Sequence, residues 1–398
     1  MDLYLFNPDH DLALANNSPY YLPPVSARQM ATDLAALPAW ILTEEDSMVA
    51  VPDRELVESW KKAKNIFPEV KCVSLRDGLV ACHAIRPWGW NAALVQSLKS
   101  RGFMESLLPD AEKLSKLRLL SSRMCAVEMV KERPHDMFFC GTSWICRSLE
   151  EIDAVLSSGS LVGRMLLKAP WSGSGKGLRW VNGMKTDVPT RNWCRRILAT
   201  QQAVVVEPAY RRVVDFAMEF SADGKGRVSF LGYSLFQTDV NGAYKSNRLL
   251  SDKQIVTELA QYLETRVLEQ ARAFLLSRLG ELLQSDYEGY LGVDMMVCRF
   301  EEEPFFRLHP CVEINLRMNM GVVAHRLYRL WLSPESEGVF KIDYFPSPDL
   351  LQKDHRGQKN VHPLIMRDGR IESGYVSLTP IGTDTLYRAA MWVHPVSG

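Results

Sequence analysis

The segment KAPWSGSGKG, residues 168–177, opens on Lys168 and then interleaves three glycines with two serines around a second lysine, Lys176. Glycine has no Cβ, so successive backbone N–H groups can turn inward around an anion, and the two lysines add cationic donors. Hydrogen bonds to a charged group contribute roughly 1.5–3 kcal/mol each, so several together can hold a triphosphate. The run is not a Walker A loop, because Gly177 follows Lys176 where Ser or Thr is needed, and it is not GxGxxG either. A plain hairpin loop with solvated lysines has the same composition.

A second stretch, CVEINLRMN (311–319), alternates Val312, Ile314, Leu316 and Met318 with Glu313, Asn315, Arg317 and Asn319. As a strand it has one apolar and one polar face. Upstream, GYLGVDMMV reads as a second strand, joined to the first through RFEEEPFFRL, whose acids and proline suit an exposed turn. A hairpin centred between Glu303 and Pro304 sets Asp294 opposite Glu313. Directly opposed carboxylates repel unless a cation intervenes. Side chains at i and i+2 are about 6.6 Å apart, so Glu313 and Asn315 can reach ions separated by roughly 3.5–4 Å. Oxygen ligands of this kind favour Mg²⁺. Arg317, one step further on that face, can grip a carboxylate or acyl phosphate with two parallel bonds. A salt-bridged surface strand shows the same alternation.

These residues need a scaffold with a cleft, and 398 residues are enough for two or three domains. With 46% hydrophobic and 24% charged residues the chain is an ordinary globular protein, not a disordered one or a coiled coil. Lys plus Arg (47) balances Asp plus Glu (47), which removes any global field for nucleic acid or anionic lipid. The opening MDLYLFNPDHDLALANN carries acids where a secretory signal needs positive charge, and no window approaches the 18 or so apolar residues of a membrane span. The expectation is a cytoplasmic protein. Its eight scattered cysteines form no CxxC pair, which suits reduced thiols, and the spacing of Cys298, His309 and Cys311 matches no zinc pattern.

DLYLF, AWILT (39–43) and VKCVSL (70–75) read as strands, with helical spacing near 26–36, 54–66 and 91–102, so the N-terminal region is expected to be α/β. Residues 112–132 have the spacing of one helix, and SLEEIDAVLSS of another before the strand GRMLLK. Residues 203–237 alternate like a β-meander with DGKG as a turn. Ser251 with Gln254 suits a capping box opening a long helix to about 283. The tail from about 340 reads as an appendage, and there is no internal repeat.

Lys168 ahead of the glycine loop, VVVEP at 204–208, Asp294 on one strand and the E-x-N-x-R pattern of Glu313, Asn315 and Arg317 on the next occur in one order. In that order they resemble the ATP-grasp superfamily, mostly carboxylate–amine ligases, over roughly residues 110–330. The resemblance implies an α/β and α+β architecture: an N-terminal Rossmann-like domain (1–108), then two subdomains gripping ATP (109–202 and 203–338), with 339–398 appended. It also implies roles. Lys168 would contact the α- and β-phosphates, while Ser172, Gly173, Ser174, Gly175, Lys176 and Gly177 cover the β- and γ-phosphates. Backbone around Val206 and the side chain of Glu207 would meet adenine. Asp215 resembles the acid on the ribose hydroxyls, although family members often have Glu there. Lys116 would be a second nucleotide-contacting cation, or else a solvated helix lysine. Asp294, Glu313 and Asn315 match the magnesium ligands and Arg317 the residue that steadies an acyl phosphate.

The implied cofactors are ATP and Mg²⁺, and the implied partners a small-molecule or peptide carboxylate and an amine, with neither nucleic acid nor membrane. A small-molecule kinase and a non-catalytic nucleotide-binding regulator fit the same residues. For the acceptor pocket three stretches stand out: NPDHDLALANN, TDVNGAYKSNR (238–248) and the tail. Lys245 and Arg248 in the second can lie over an acidic substrate or the γ-phosphate, or be exposed on a plain hairpin turned by Asn241-Gly242. Asn7, Asp9, His10 and Asp11 follow the first strand, where α/β folds present ligand-binding loops; an Asx turn explains the same residues.

Overall fold

The computed structural model describes residues 1–43, 47–62, 68–76, 80–158, 163–173, 177–239 and 244–396. Near the N-terminus four parallel strands lie in the order Lys71–Val73, Ser47–Ala50, Asp2–Leu5, Ala84–Pro87. Helices Val25–Asp33, Arg54–Lys62 and Ala92–Ser100 fall where helical spacing predicts them. AWILT is not a strand. Pro38 opens a 3-10 turn over Leu37–Ile41 that drives Trp40 into the core, where its indole donates to the Leu378 carbonyl at 2.6 Å. The strand comes later, at Ser47–Ala50.

A second unit is an antiparallel four-stranded sheet in the order Trp144–Cys146, Val204–Pro208, Arg164–Lys168, Leu178–Asn182, packed on helices Leu149–Ser157 and Val188–Gln201. The third and largest is a nine-stranded sheet beginning with Phe306–Asn315, Glu288–Arg299, Arg211–Asp223, Val228–Thr238 and Tyr244–Leu249. It continues through Ser336–Tyr344, Tyr387–Pro395, Arg370–Ser377 and Ile365–Arg367. The tail is therefore no appendage. Its strands extend the same sheet, and the first of them crosses the boundary expected at 338/339.

Alternation along each strand gives this sheet two working faces. Phe216, Met218, Phe220, Leu291 and Val293 pack on one side against the helix Thr265–Leu283. On the other side the helix Met320–Trp331, with Phe6, Trp40 and Trp88 from the N-terminal region, covers Leu249, Phe340 and Met391. The rest of that face is the cleft. The capping box forms, Ser251 and Gln254 serving each other's backbone, but the helix it opens stops at Leu259 and a new one begins at Thr265. Residues 112–132 likewise form two helices, Ala111–Leu120 and Arg123–Lys131, because Ser122 leaves helical geometry and caps the second through the Met124 N–H. No helix among the described residues is long and apolar enough to cross a membrane.

Trp40 joins the N-terminal region to the large sheet: its ring meets Trp331 edge-on at 5.0 Å and its carbonyl accepts from the Trp331 indole. Trp40→Ala is expected to destabilise the fold by about 3–5 kcal/mol, read as a lower urea midpoint. An unchanged midpoint would show that the two units are not coupled there.

Candidate active site

Asp294 and Glu313 stand directly opposite each other, as the hairpin reading predicts, and Gly292 faces Asn315. A bulge is what achieves this. Near the turn, Arg299 faces Phe306 and Met296 faces His309, a register that would bring Cys311 opposite Asp294 if it continued. Between Met296 and Asp294 the partner strand instead advances from His309 to Glu313, through Pro310, which has no N–H to give the ladder.

Asp294, Glu313 and Asn315 are half-buried, and Glu219 behind them is fully buried. Burial, with Glu313 and Glu219 next, pushes the Asp294 carboxyl up to about 8. Glu219, on the neighbouring strand opposite Gly292, is likewise pushed up to about 7 by burial. It accepts hydrogen bonds from Ser234 Oγ at 2.8 Å and Asn319 Nδ2 at 3.0 Å. Gly292 and Gly321 leave the room it needs, since a Cβ at either would collide with its carboxylate.

Two arginines flank the acids. Arg317 reaches back across the chain: its Nε donates to Asp11 Oδ1 at 2.8 Å, and its Nη2 to Asp11 Oδ2 at 2.7 Å and Asn315 Oδ1 at 2.9 Å. Burial works against both charges of this pair, yet Asp11 remains below its ordinary range and Arg317 above its own because each faces the other. Arg123 holds Glu313 at 3.0 Å and, through Nη1, donates to the Ala169 carbonyl and Ser172 Oγ, both at 2.7 Å. It thereby ties Glu313 to the base of the glycine loop. Sequence reasoning missed Arg123; its one signal was the Ser121-Ser122 pair ahead of it, which interrupts the apparent helix and supplies the cap.

Lys168 is buried at the end of its strand, 2.5 Å from Glu207 Oε1. Val206 lies between Trp144 and Leu167 in the sheet, so its backbone belongs to the ladders, and on the Arg164–Lys168 side the pairing runs on through Pro208 to the Ala209 N–H, which donates to the Arg164 carbonyl. Asp215 accepts from Thr238 Oγ1 at 3.0 Å and pairs with Arg212. Of the glycine loop, Ser172, Gly173 and Gly177 are in place: the Ala169 N–H donates to the Gly177 carbonyl, and Gly173 adjoins Leu12. Ser174, Gly175 and Lys176 lie outside the described residues.

Three cations expected near the nucleotide or substrate are otherwise engaged or displaced. Lys116 is on the surface with Glu112 and Asp286, neither of which belongs to the cluster. Arg248 points to the helix side of the sheet, where Glu258 and Glu337 hold it. Lys245 is exposed and is the extra residue of a bulge, since Thr238 faces Tyr244 while Gln237 faces Ser246. In the opening stretch, Asp11 joins the site through Arg317, whereas Asn7 donates to the Gly89 carbonyl and His10 is buried beside Asn91, its imidazole pushed down to about 4 by burial. Asp9 makes no side-chain cap for the helix that follows it, and burial raises its carboxyl.

Among the described residues no three His, Cys, Asp or Glu side chains converge into a closed metal cage. Asp294, Glu313 and Asn315 offer oxygen donors from paired positions of two neighbouring strands.

Glu219 gives a pH test. Its ordinary value of 4.5 applies in the unfolded chain and about 7 in the folded one, so between these the folded state holds more protons and stability falls as pH rises. Glu219→Gln is expected to match the wild type near pH 5 and exceed it at pH 8 by on the order of 2–3 kcal/mol in urea unfolding. A variant weaker than wild type at pH 8 would contradict the assignment.

No protein-family model and no curated protein matches the chain. Solved structures do. Biotin carboxylase from Campylobacter jejuni, a β-γ-ATP complex, superposes with a TM-score of 0.52 at 11% identity, over 99% of this chain and 87% of that one. N5-carboxyaminoimidazole synthase from Aspergillus clavatus, in complex with ADP and 5-aminoimidazole ribonucleotide, gives 0.51 at 10% identity, over 99% and 94%. N5-carboxyaminoimidazole ribonucleotide synthetase from Thermus thermophilus gives 0.50 at 12%, over 98% and 93%. These are ATP-grasp enzymes. The chain has the ATP-grasp fold.

Proposed function

We propose that the chain is a cytoplasmic ATP- and Mg²⁺-dependent ligase that activates a substrate carboxylate as an acyl phosphate for attack by an amine. The observation that carries this reading is the facing of Asp294 and Glu313, with Asn315 and Arg317 one and two steps further along the face and Arg123 bridging to the glycine loop. The folds it shares include enzymes solved with ATP-like and ADP ligands, which supports a nucleotide in the cleft.

In this reading Lys168 and Arg123 meet the α- and β-phosphates, and the loop from Ser172 to Gly177 covers the β- and γ-phosphates. Glu207 and the backbone after it meet adenine, and Asp215 the ribose. Asp294, Glu313 and Asn315 hold the magnesium, which when bound would neutralise charge spreading over the transferred phosphoryl group. The substrate carboxylate oxygen attacks the γ-phosphorus, the bond to the β,γ-bridging oxygen breaks and ADP leaves. The amine then adds to the acyl carbon, phosphate departs and the nitrogen loses a proton. Arg317 is placed to steady the acyl phosphate, and Asp11 holds its guanidinium in plane for that contact. Activation is needed because a free carboxylate is a poor electrophile.

Glu313→Ala is expected to abolish ADP release in a screen of carboxylate and amine pairs while leaving circular dichroism unchanged, because it removes a metal ligand and no core packing. Retained ADP release would refute the metal assignment, and ADP without free phosphate would mark a kinase. Arg123→Ala is expected to weaken ADP binding about tenfold or more in calorimetry, and Lys116→Ala to leave it unchanged. The reverse pattern would move the nucleotide to the Lys116 side of the helix pair.

A further inference from the structure

His309 takes no part in the chemistry above, yet it borders the same cleft. It sits opposite Met296, and so on the face that carries Asp294. Its side chain is buried, 1% exposed, and neither ring nitrogen has a hydrogen-bond partner among the described residues. Arg123, Lys168, Val205 and Glu207 line a void of about 10 Å³ with it. Burial, with the Lys168 and Arg133 charges next, pushes the imidazole down to about 3, so it is neutral and offers one donor and one acceptor.

The surroundings are shaped to keep that ring in place. Gly141 has φ +118°, and a Cβ there would lie 3.0 Å from Nε2. Tyr210, just beyond the hinge, meets the imidazole edge-on at 5.6 Å and is itself fixed by the Thr142 N–H. Around Tyr210 the wall is apolar and polarizable: Cys140, Met296, Cys298 and Val312. Such a wall repels phosphate and suits a flat heteroaromatic ring, for which one neutral donor–acceptor side chain gives orientation.

We propose that His309 reads the base of the nucleotide, its imidazole hydrogen-bonding the edge of a purine seated between Tyr210 and Met296. The assignment rests on the nucleotide reading above and names the residue that recognises the base. The cleft strands keep a buried histidine unpartnered because the ligand supplies the partner.

The test is calorimetric titration of the full chain with ADP and, separately, with tripolyphosphate, which lacks the base. His309→Phe keeps the ring volume and removes both polar atoms; it is expected to bind ADP about tenfold more weakly, with tripolyphosphate binding unchanged. His309→Gln, which keeps a donor and an acceptor, is expected to recover part of the loss. ADP affinity within twofold of wild type in His309→Phe would overturn the assignment, as would an equal loss for tripolyphosphate, which would mark a packing role. A wild-type chain that binds no ADP would overturn the nucleotide reading itself and this assignment with it, so the two failures are told apart by the wild-type titration.

Discussion

Two carboxylates facing each other across paired strands inside a protein cannot both ionise without a cation between or beside them. Asp294 and Glu219 are the acids of this site with no cation in ion-pair contact among the described residues: Arg123 is committed to Glu313 and Arg317 to Asp11. Raising the Asp294 carboxyl from 3.8 to about 8 corresponds to roughly 5–6 kcal/mol against ionisation, more than a surface ion pair of about 1 kcal/mol could offset. At neutral pH the carboxyl therefore keeps its proton, and on the ligase reading a bound cation would be what displaces it. Glu219 deepens the effect, since it places a third acid beneath the other two, and it persists because two glycines make room for it.

The rest of the molecule can be read as what holds this charge cluster in register. The helix side of the large sheet supplies the hydrophobic burial, with Phe216, Met218, Phe220, Leu268 and Leu275 fully inside. The cleft side is left to polar groups, flanked by the helix Met320–Trp331, whose capping residue Asn319 also serves Glu219. Three parts of the chain then meet at the acids through arginine. The N-terminal region does so with Asp11 and the glycine loop with Ser172, while the large sheet brings Glu313 and Asn315. Arginine suits these junctions because its planar fork satisfies several acceptors at once and stays charged when buried.

How much of this was legible in the sequence follows from whether a side chain's place depends on its own strand or on a distant one. Strand alternation alone gave the faces of Glu313, Asn315 and Arg317, and the turn gave the pairing with Asp294. Even there the correct facing depended on a bulge at Pro310, which makes up for a turn placed slightly earlier in the chain. Arg248 shows the opposite case. One residue from the cleft face, it belongs to the helix side with Glu258, a parity that the neighbouring bulge at Lys245 conceals. Lys116 and Arg123 sit on one apparent helical run, and only the Ser122 cap turns the second toward the loop. AWILT has strand composition, but Pro38 and the demands of Trp40 as a bridge to Trp331 and Leu378 override it. The tail gave no motif because its role is to lengthen a sheet whose adjoining strand, Tyr244–Leu249, lies far earlier in the chain.

The ion pairs of the cleft are also what a ligand must replace. Two of them, Lys168 with Glu207 and Arg123 with Glu313, each neutralise a charge that the ligase reading assigns to phosphate or metal, while on that reading Asp11 stays on Arg317 to orient it. A void of about 10 Å³ between Lys168, Arg123 and His309 has room for one water and none for a purine. On that reading nucleotide entry separates the small sheet from the large one, and each broken pair is re-formed with the ligand. Because a buried charge left alone costs several kcal/mol, the exchange favours ligands that present all the complementary charges together. On the same reading bare nucleotide leaves Glu313 without Arg123 and bare metal leaves Arg123 without Glu313, so the reading predicts a preference for the chelate over either component.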